Sequence, residues 1–227
     1  MRIRCAAAVL WLLCPLSAEE ITFSANGMTG TAGNTSDHTT LVGNAFVRTA
    51  SIEIAADRIE MSGTDFRTVT ATGNVTGKNF ETNMAFSCGQ MSYDRETKIA
   101  VLRDNVHLED RENNVTADAE IIDYNQETDI AVLQINVSLT QKDTVCTGAY
   151  VVYQKKQQTL NVSGNAQVRQ GTDVFRAQEI TLNLQTQAIT LDGRVRGSVR
   201  DDRVSAAGQQ QNGETSSPAE GAADALP

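Results

Sequence analysis

The chain has 227 residues, room for one or two ordinary domains, and carries 28 Asp and Glu against 19 Lys and Arg for a net charge of −9. That balance disfavours nucleic acid as a partner, because phosphate binding needs clustered basic groups. With three prolines in the whole chain, little interrupts a regular pattern.

Residues 1–18 read as an export signal: Arg2 and Arg4, an apolar stretch over 5–16, then Ser17 and Ala18 before Glu19. The stretch is too short to span a bilayer. Its shape favours cleavage after Ala18, although Leu16 departs from the small-residue rule; Leu13, not being small, argues against a lipid anchor at Cys14. Removing the signal takes two of the 19 basic residues and no acid, leaving 17 against 28. An electrostatic grip on anionic head groups is thereby disfavoured, and apolar contact is the more plausible route to a ligand.

Over 19–39 the sequence reads as an opening partial repeat and a loop. Phe23, Ala25 and Met28 have the spacing of Ile54, Ala56 and Ile59, and Gly, Thr, Asn and Ser follow to about Thr40.

From there to residue 203 one module is repeated. A Gly/Asp/Ile-Asn-Val/Ala step, or its Gly-Arg-Val relative, ends on Ala45, Val75, Val106, Val137, Ala166 and Val195, at intervals of 30, 31, 31, 29 and 29 residues. Such recurrence marks one unit stacked on itself. Four residues before each step stand Leu41, Ala71, Leu102, Leu133, Val162 and Leu191, and two after it Val47, Gly77, Leu108, Leu139, Val168 and Gly197. Apolar residues at period two predict a strand with one apolar face. The glycines Gly43, Gly73, Gly164 and Gly193 within it predict a kink.

The second half of each unit is anchored on Met61, Tyr93, Tyr124, Tyr153 and Leu182, with Ile59, Met91, Ile122, Val151 and Ile180 two residues earlier. Seven residues before the anchor stand Ile54, Phe86, Ala117, Cys146 and Phe175, of opposite parity, which needs a bulge. Links such as Asp94-Arg95-Glu96-Thr97 and Asn125-Gln126-Glu127-Thr128 are short enough only for antiparallel neighbours. The predicted fold is all-β: an open β-jelly roll built from a repeated antiparallel meander of long kinked strands, two walls facing each other over an apolar trough. Terminal edges are expected near 21–28 or 51–59 and near 191–199, and such edges recruit further strands. Past Arg203 the composition turns to Ala, Gly, Gln, Ser, Glu and Pro, so 204–227 reads as a disordered tail.

Catalytic readings are poorly supplied. Cys88 and Cys146 lie two units apart, roughly 20 Å across four strand spacings, too far for a disulfide. Both read as small buried residues. His38 and His107 have no partners at ligand spacing, so no metal, cofactor or general base is implied. Five Asn-x-Ser/Thr sites, at Asn34, Asn74, Asn114, Asn136 and Asn161, read mostly as by-products of strand and turn composition. The Tyr93, Tyr124 and Tyr153 column reads as core in preference to a binding ladder. Asp57, Glu120 and Glu179 lie near one another in register but without a nucleophile or oxyanion site. No enzyme reading survives, including hydrolysis of envelope glycans.

Over about residues 40–199 the columns resemble the OstA-like (LptA) proteins of lipopolysaccharide transport. The resemblance is carried by Thr72-Gly73-Asn74-Val75, Ser163-Gly164-Asn165-Ala166, Thr116-Ala117-Asp118, Ala56-Asp57-Arg58-Ile59, the Tyr-x-x-x-Thr segments at Tyr93 and Tyr124, and Leu191-Asp192-Gly193-Arg194-Val195-Arg196-Gly197. It implies a periplasmic jelly roll that takes acyl chains of lipopolysaccharide or a related envelope lipid from an inner-membrane clamp and passes them toward an outer-membrane translocon. Similar domains, or further copies of the chain, stack end to end in such a bridge. The clamp component of the same system shares the domain type but usually has a membrane anchor.

The groove candidates are Ile54, Ile59, Phe86, Met91, Leu108, Ile122, Leu139, Val151, Phe175 and Ile180, the large inward residues of the two walls. The competing expectation is an exported structural or adhesin-like β-repeat in which those side chains only close the core. Inward glycines, Gly43, Gly73, Gly77, Gly148, Gly164, Gly193 and Gly197, are expected to thin the interior and so favour a carrier.

Overall fold

A computed structural model describes residues 21–31 and 37–200. The expectations for 1–18, for the loop residues 32–36 and for 204–227 lie outside them. The strands are β1 (Thr22–Ser24), β2 (Gly27–Thr31), β3 (Asp37–Arg48), β4 (Ile52–Gly63), β5 (Thr68–Asn79), β6 (Met84–Asp94), β7 (Ile99–Asp110), β8 (Val115–Asn125), β9 (Ile130–Gln141), β10 (Thr144–Gln154), β11 (Thr159–Gln170), β12 (Asp173–Asn183), β13 (Ile189–Asp192) and β14 (Arg196–Ser198). No α-helix occurs among the described residues, and a tight turn at Thr64–Phe66 is the nearest approach to one.

Each strand pairs antiparallel with the next, from β3 through to β13. At the first edge β1 and β2 both pair with β3, and at the last β13 and β14 both pair with β12. The ends of the sheet are therefore strands broken at the depth where all the others kink.

The kink has one cause, repeated. Gly43-Asn44, Gly73-Asn74, Asp104-Asn105, Ile135-Asn136, Gly164-Asn165 and Gly193-Arg194 each place two successive residues at positive φ, between 46° and 77°. Glycine takes that conformation freely and asparagine more readily than other residues with a side chain, which is why the recurring step is so often Gly-Asn. In β3 the pair Gly43 and Asn44 faces the single residue Asp57, since Val42 pairs with Arg58 and Ala45 with Ala56. Two residues against one is a bulge: β3 keeps its parity, with Leu41 and Ala45 both buried, while in β4 the parity reverses between Ala56 and Ile59.

Every long strand is thus bent across its middle, and the sheet folds along the line of bends into two walls. The upper wall holds halves such as 45–48, 52–56, 75–79 and 84–88; the lower holds 37–42, 58–63, 68–72 and 90–94. Between them lies one core whose largest members, among them Leu41, Ile59, Leu102, Ile122, Leu133 and Leu160, are almost wholly buried. Fully burying such a side chain contributes about 1.5–3 kcal/mol, and this core holds the walls together.

The links follow a common recipe. Asn79, Asp94, Asn125 and Asn183 each accept hydrogen bonds from the amides two and three residues ahead, at 2.8–3.0 Å. Asn83, Lys98, Asp129 and Gln187 then close the turns at positive φ.

The glycine expectation needs correction. Gly43, Gly73, Gly164 and Gly193 are the left-handed residues of the bends and leave no space inside. Gly77 is covered by the ring of Phe86 and Gly148 packs against Val162, while Gly197, exposed at the last edge, has the ring of Phe175 beside it. The missing side chains are replaced by neighbours, so the interior is filled where it was expected to be thin.

Candidate functional site

Strand register gathers the ten groove candidates into two unbroken rows. Along the lower wall, Ile59, Ala71, Met91, Leu102, Ile122, Leu133, Val151, Val162 and Ile180 are successive cross-strand neighbours. Along the upper wall the succession is Ile54, Gly77, Phe86, Leu108, Ala117, Leu139, Cys146, Val168 and Phe175. Eight of the ten are buried, while Phe86 and Phe175 are half-buried. Large and small residues alternate along part of the upper row, as in Leu108, Ala117, Leu139 and Cys146, which lets the facing walls interdigitate.

A second row of the lower wall runs closer to the links. Tyr93, Ala100, Tyr124, Ala131 and Tyr153 succeed one another there, an alternation of ring and methyl. The tyrosine rings pack inward and their hydroxyls reach the seam where the free edges of the walls meet. Tyr93 donates to Gln126 Oε1 at 3.0 Å, Tyr124 to Asp129 at 2.6 Å and Tyr153 to Asp110 at 2.9 Å. Burial, and then the neighbouring carboxylates, push the Tyr124 and Tyr153 hydroxyls well above the ordinary tyrosine value, so they act as donors.

Opposite them the upper wall ends its strands on Asp110, Gln141 and Thr144, all buried. Lys155, in the β10–β11 link of the lower wall, crosses the seam. Its ammonium lies 3.2 Å from Asp110 and 3.0 Å from Glu112, and it donates to the carbonyl of Thr82. Nearby, Gln126 donates to Glu81 at 2.8 Å, and farther along Thr144 donates to Gln187 at 3.1 Å. In these bridges a link of the upper wall passes over the lower link that follows it and meets the one after: 80–83 meets 126–129 beyond 95–98, and 111–114 meets 155–158 beyond 126–129.

That offset leaves the first lower link, at Thr64–Phe66, without an upper counterpart, and a cleft of about 760 Å³ opens there. Its apolar wall is Ile21, Val47, Ile52, Ile54, Met61, Phe66, Val69 and Tyr93. Its rim is polar and of both signs, with Asp65, Arg67, Glu81, Arg95, Glu96 and Lys98. Arg67 grips Asp94 through two nitrogens at 2.8 and 3.0 Å and also meets Glu96. This pairing, with the amide of Thr97, holds the Asp94 carboxyl at about 2. Of the ten groove candidates, Ile54 lines the cleft; Phe86 borders a separate hollow of about 150 Å³ beside Gly77.

Other residues singled out in the sequence occupy plain positions. Cys88 and Cys146 are free, buried thiols, raised to about 11 and about 12, mainly by burial. His107 bonds Asp118 at 2.7 Å, and His38 lies 3.8 Å from Glu60, with both rings substantially exposed. Among the described residues no group of three or more His, Cys, Asp and Glu is arranged to hold a metal ion, and no helix is long and apolar enough to cross a membrane. Sequence reasoning missed the seam network and Phe66: Lys155 reads as one more polar link residue, and a cross-seam contact has no local pattern.

The fold and cleft define an open antiparallel jelly roll whose apolar interior is sealed along most of its seam and accessible at one end. The family described as "LptA/(LptD N-terminal domain) LPS transport protein" matches residues 24–159, well over half of the chain. The chain belongs to that family, and is accordingly a component of lipopolysaccharide transport. Among solved structures, it is similar to LptH from Pseudomonas aeruginosa, described as the LptA homologous periplasmic component of the conserved lipopolysaccharide transport device. Identity is 11%, with 81% of this chain and 96% of that chain covered, and a TM-score of 0.25. A likeness at that level adds nothing to the fold or the site. No curated protein matches.

Proposed function

We propose that the chain is a periplasmic bridge component that carries lipopolysaccharide, or a related acylated envelope lipid, from the inner toward the outer membrane. The observation that carries this reading is the end cleft, about 760 Å³ in volume and bounded by Ile54, Met61 and Val69 of the walls themselves. That volume is in the range of pockets that enclose small ligands. Each methylene buried in it contributes about 0.8 kcal/mol, so part of an acyl chain supplies affinity without a cationic head-group site. The acidic charge of the chain is then no obstacle.

In this reading residues 1–18 direct export, 40–203 form the carrier domain, and 204–227 lie outside it. The acyl chain first meets the cleft at Ile54. It advances along the rows that hold Ile59, Phe86, Met91, Leu108, Ile122, Leu139, Val151, Phe175 and Ile180. The broken edges β1/β2 and β13/β14 offer backbone groups to jelly-roll domains of the inner-membrane clamp and the outer-membrane translocon, or to further copies of this chain.

A structural β-repeat without lipid is favoured by one observation, the near-complete burial of Ile59, Ile122 and Val151. Mass spectrometry of the protein purified from lipid-producing cells separates the two. Acylated lipid should accompany the unaltered chain and fall at least tenfold in Ile52→Trp, which fills the cleft, but not in the Asp123→Asn control. No lipid, or equal lipid in all three, removes the carrier reading.

A further inference from the structure

We propose that the Lys155–Asp110 cluster is a releasable latch across the seam, which must part before an acyl chain seated in the cleft can advance into the interior. The inference rests on the carrier reading and adds how that site is controlled.

Position is the first argument. Gln126 both lines the cleft and bridges to Glu81, so the seam begins to close at the border of the open space. Lys155 belongs to the next lower link, and its contacts with Thr82, Asp110 and Glu112 tie it to two successive upper links. Asp110 is held in turn by Tyr153 and by Asn113, whose side chain donates at 2.7 Å. Beyond this point Ile122, Leu133 and Leu139 leave no room between the walls, so passage requires the walls to separate.

The chemistry of the cluster is the second. Asp110 and Lys155 are the two buried charged residues among the described part of the chain. A buried ion pair adds little stability over apolar side chains of similar volume, so stability does not account for its presence. Opening is where the two kinds of seal differ. Ions that part into water regain hydration, whereas an apolar seal exposes its surface at full cost. A charged seal whose ions are each paired is closed at rest and can open reversibly.

The test uses the full chain in cells that make lipopolysaccharide, with a photo-crosslinking residue at Met61 in the cleft or at Leu139 in the interior. A lock joins Glu112→Cys to Lys156→Cys with a bismaleimide; both sites are exposed, and the thiols of Cys88 and Cys146 are buried. An apolar seal, Asp110→Leu with Lys155→Met, serves as the second variant, and thermal melts show that each is folded. We expect either change to lower lipid capture at Leu139 at least tenfold while leaving capture at Met61 within twofold. Unchanged capture at Leu139 in either folded variant, or an equal fall at both positions, overturns the latch and leaves the carrier reading standing. No capture at either position in the unaltered chain overturns both.

Discussion

Tyr153 and Asp110 are 43 residues apart in sequence and belong to opposite walls, yet the tyrosine hydroxyl donates to the aspartate at 2.9 Å inside a buried cluster. Asp110 also faces Lys155, so removing the carboxylate breaks a buried ion pair and leaves the ammonium only the Thr82 carbonyl and the exposed Glu112. Asp110→Ala should therefore cost about 3–5 kcal/mol. Tyr153→Phe, which leaves the ion pair in place, should cost only about 1–2 kcal/mol. The Asp110→Leu, Lys155→Met pair should recover most of the larger loss. Urea midpoints for the three variants check the ordering; a harmless Asp110→Ala would mean that the pair is solvated.

Ile135 gives a prediction of the opposite sign. It holds φ at 66°, a conformation costly for a β-branched side chain, and is 51% exposed, so little packing compensates. The corresponding positions are glycine in four of the other five steps. Ile135→Gly should raise stability by up to about 1 kcal/mol, the relief of strain outweighing the greater freedom of the unfolded chain. A fall in the melting temperature would show that the side chain is held by packing.

Cys88 and Cys146 should resist alkylation at neutral pH, because burial raises both thiols and shields them from reagent. Denaturation should make both Cys88 and Cys146 reactive. Detection of an intramolecular bridge between them would contradict the strand order itself.

Asp94 sets a term in acid stability. Its carboxyl stands at about 2, below the unfolded value near ~3.9, because Arg67 and the amide of Thr97 favour the charged form. A depressed carboxyl stabilises the fold above the unfolded value and loses that contribution as pH falls toward the folded one. Asp94→Asn, which keeps a side-chain acceptor for the link, should flatten the stability profile between about pH 4 and 2. Unchanged acid unfolding in that window would assign the Arg67 contact no weight.

Much of the fold was legible because its causes are local. Period-two columns such as Ile59 with Met61, and the parity flip between Ile54 and Ile59, required a bulge before any strand was placed. The Gly-Asn step of the neighbouring strand supplies it by setting two residues against one. The same locality limits what the glycines reveal: period-two spacing places Gly43 and Gly73 on the inner face, whereas backbone conformation decides their role. The cleft was not legible. It depends on the offset between walls, to which the sheet's twist contributes, and on Phe66 and Ile21 both lining it. Nor was the seam, since a link lysine such as Lys155 has the same local surroundings whether it crosses to Asp110 or points into water.

Site-specific photo-crosslinking at Met61 and at Asp123 tests the central claim most directly. Met61 lines the cleft, while Asp123 lies in the same wall with opposite parity and accepts a hydrogen bond from Gln134. In cells making lipopolysaccharide, a crosslinker at Met61 should capture acylated lipid and one at Asp123 should capture none. Equal capture at the two positions, or none at either, would contradict the account and leave a β-repeat whose interior serves only to hold its walls together.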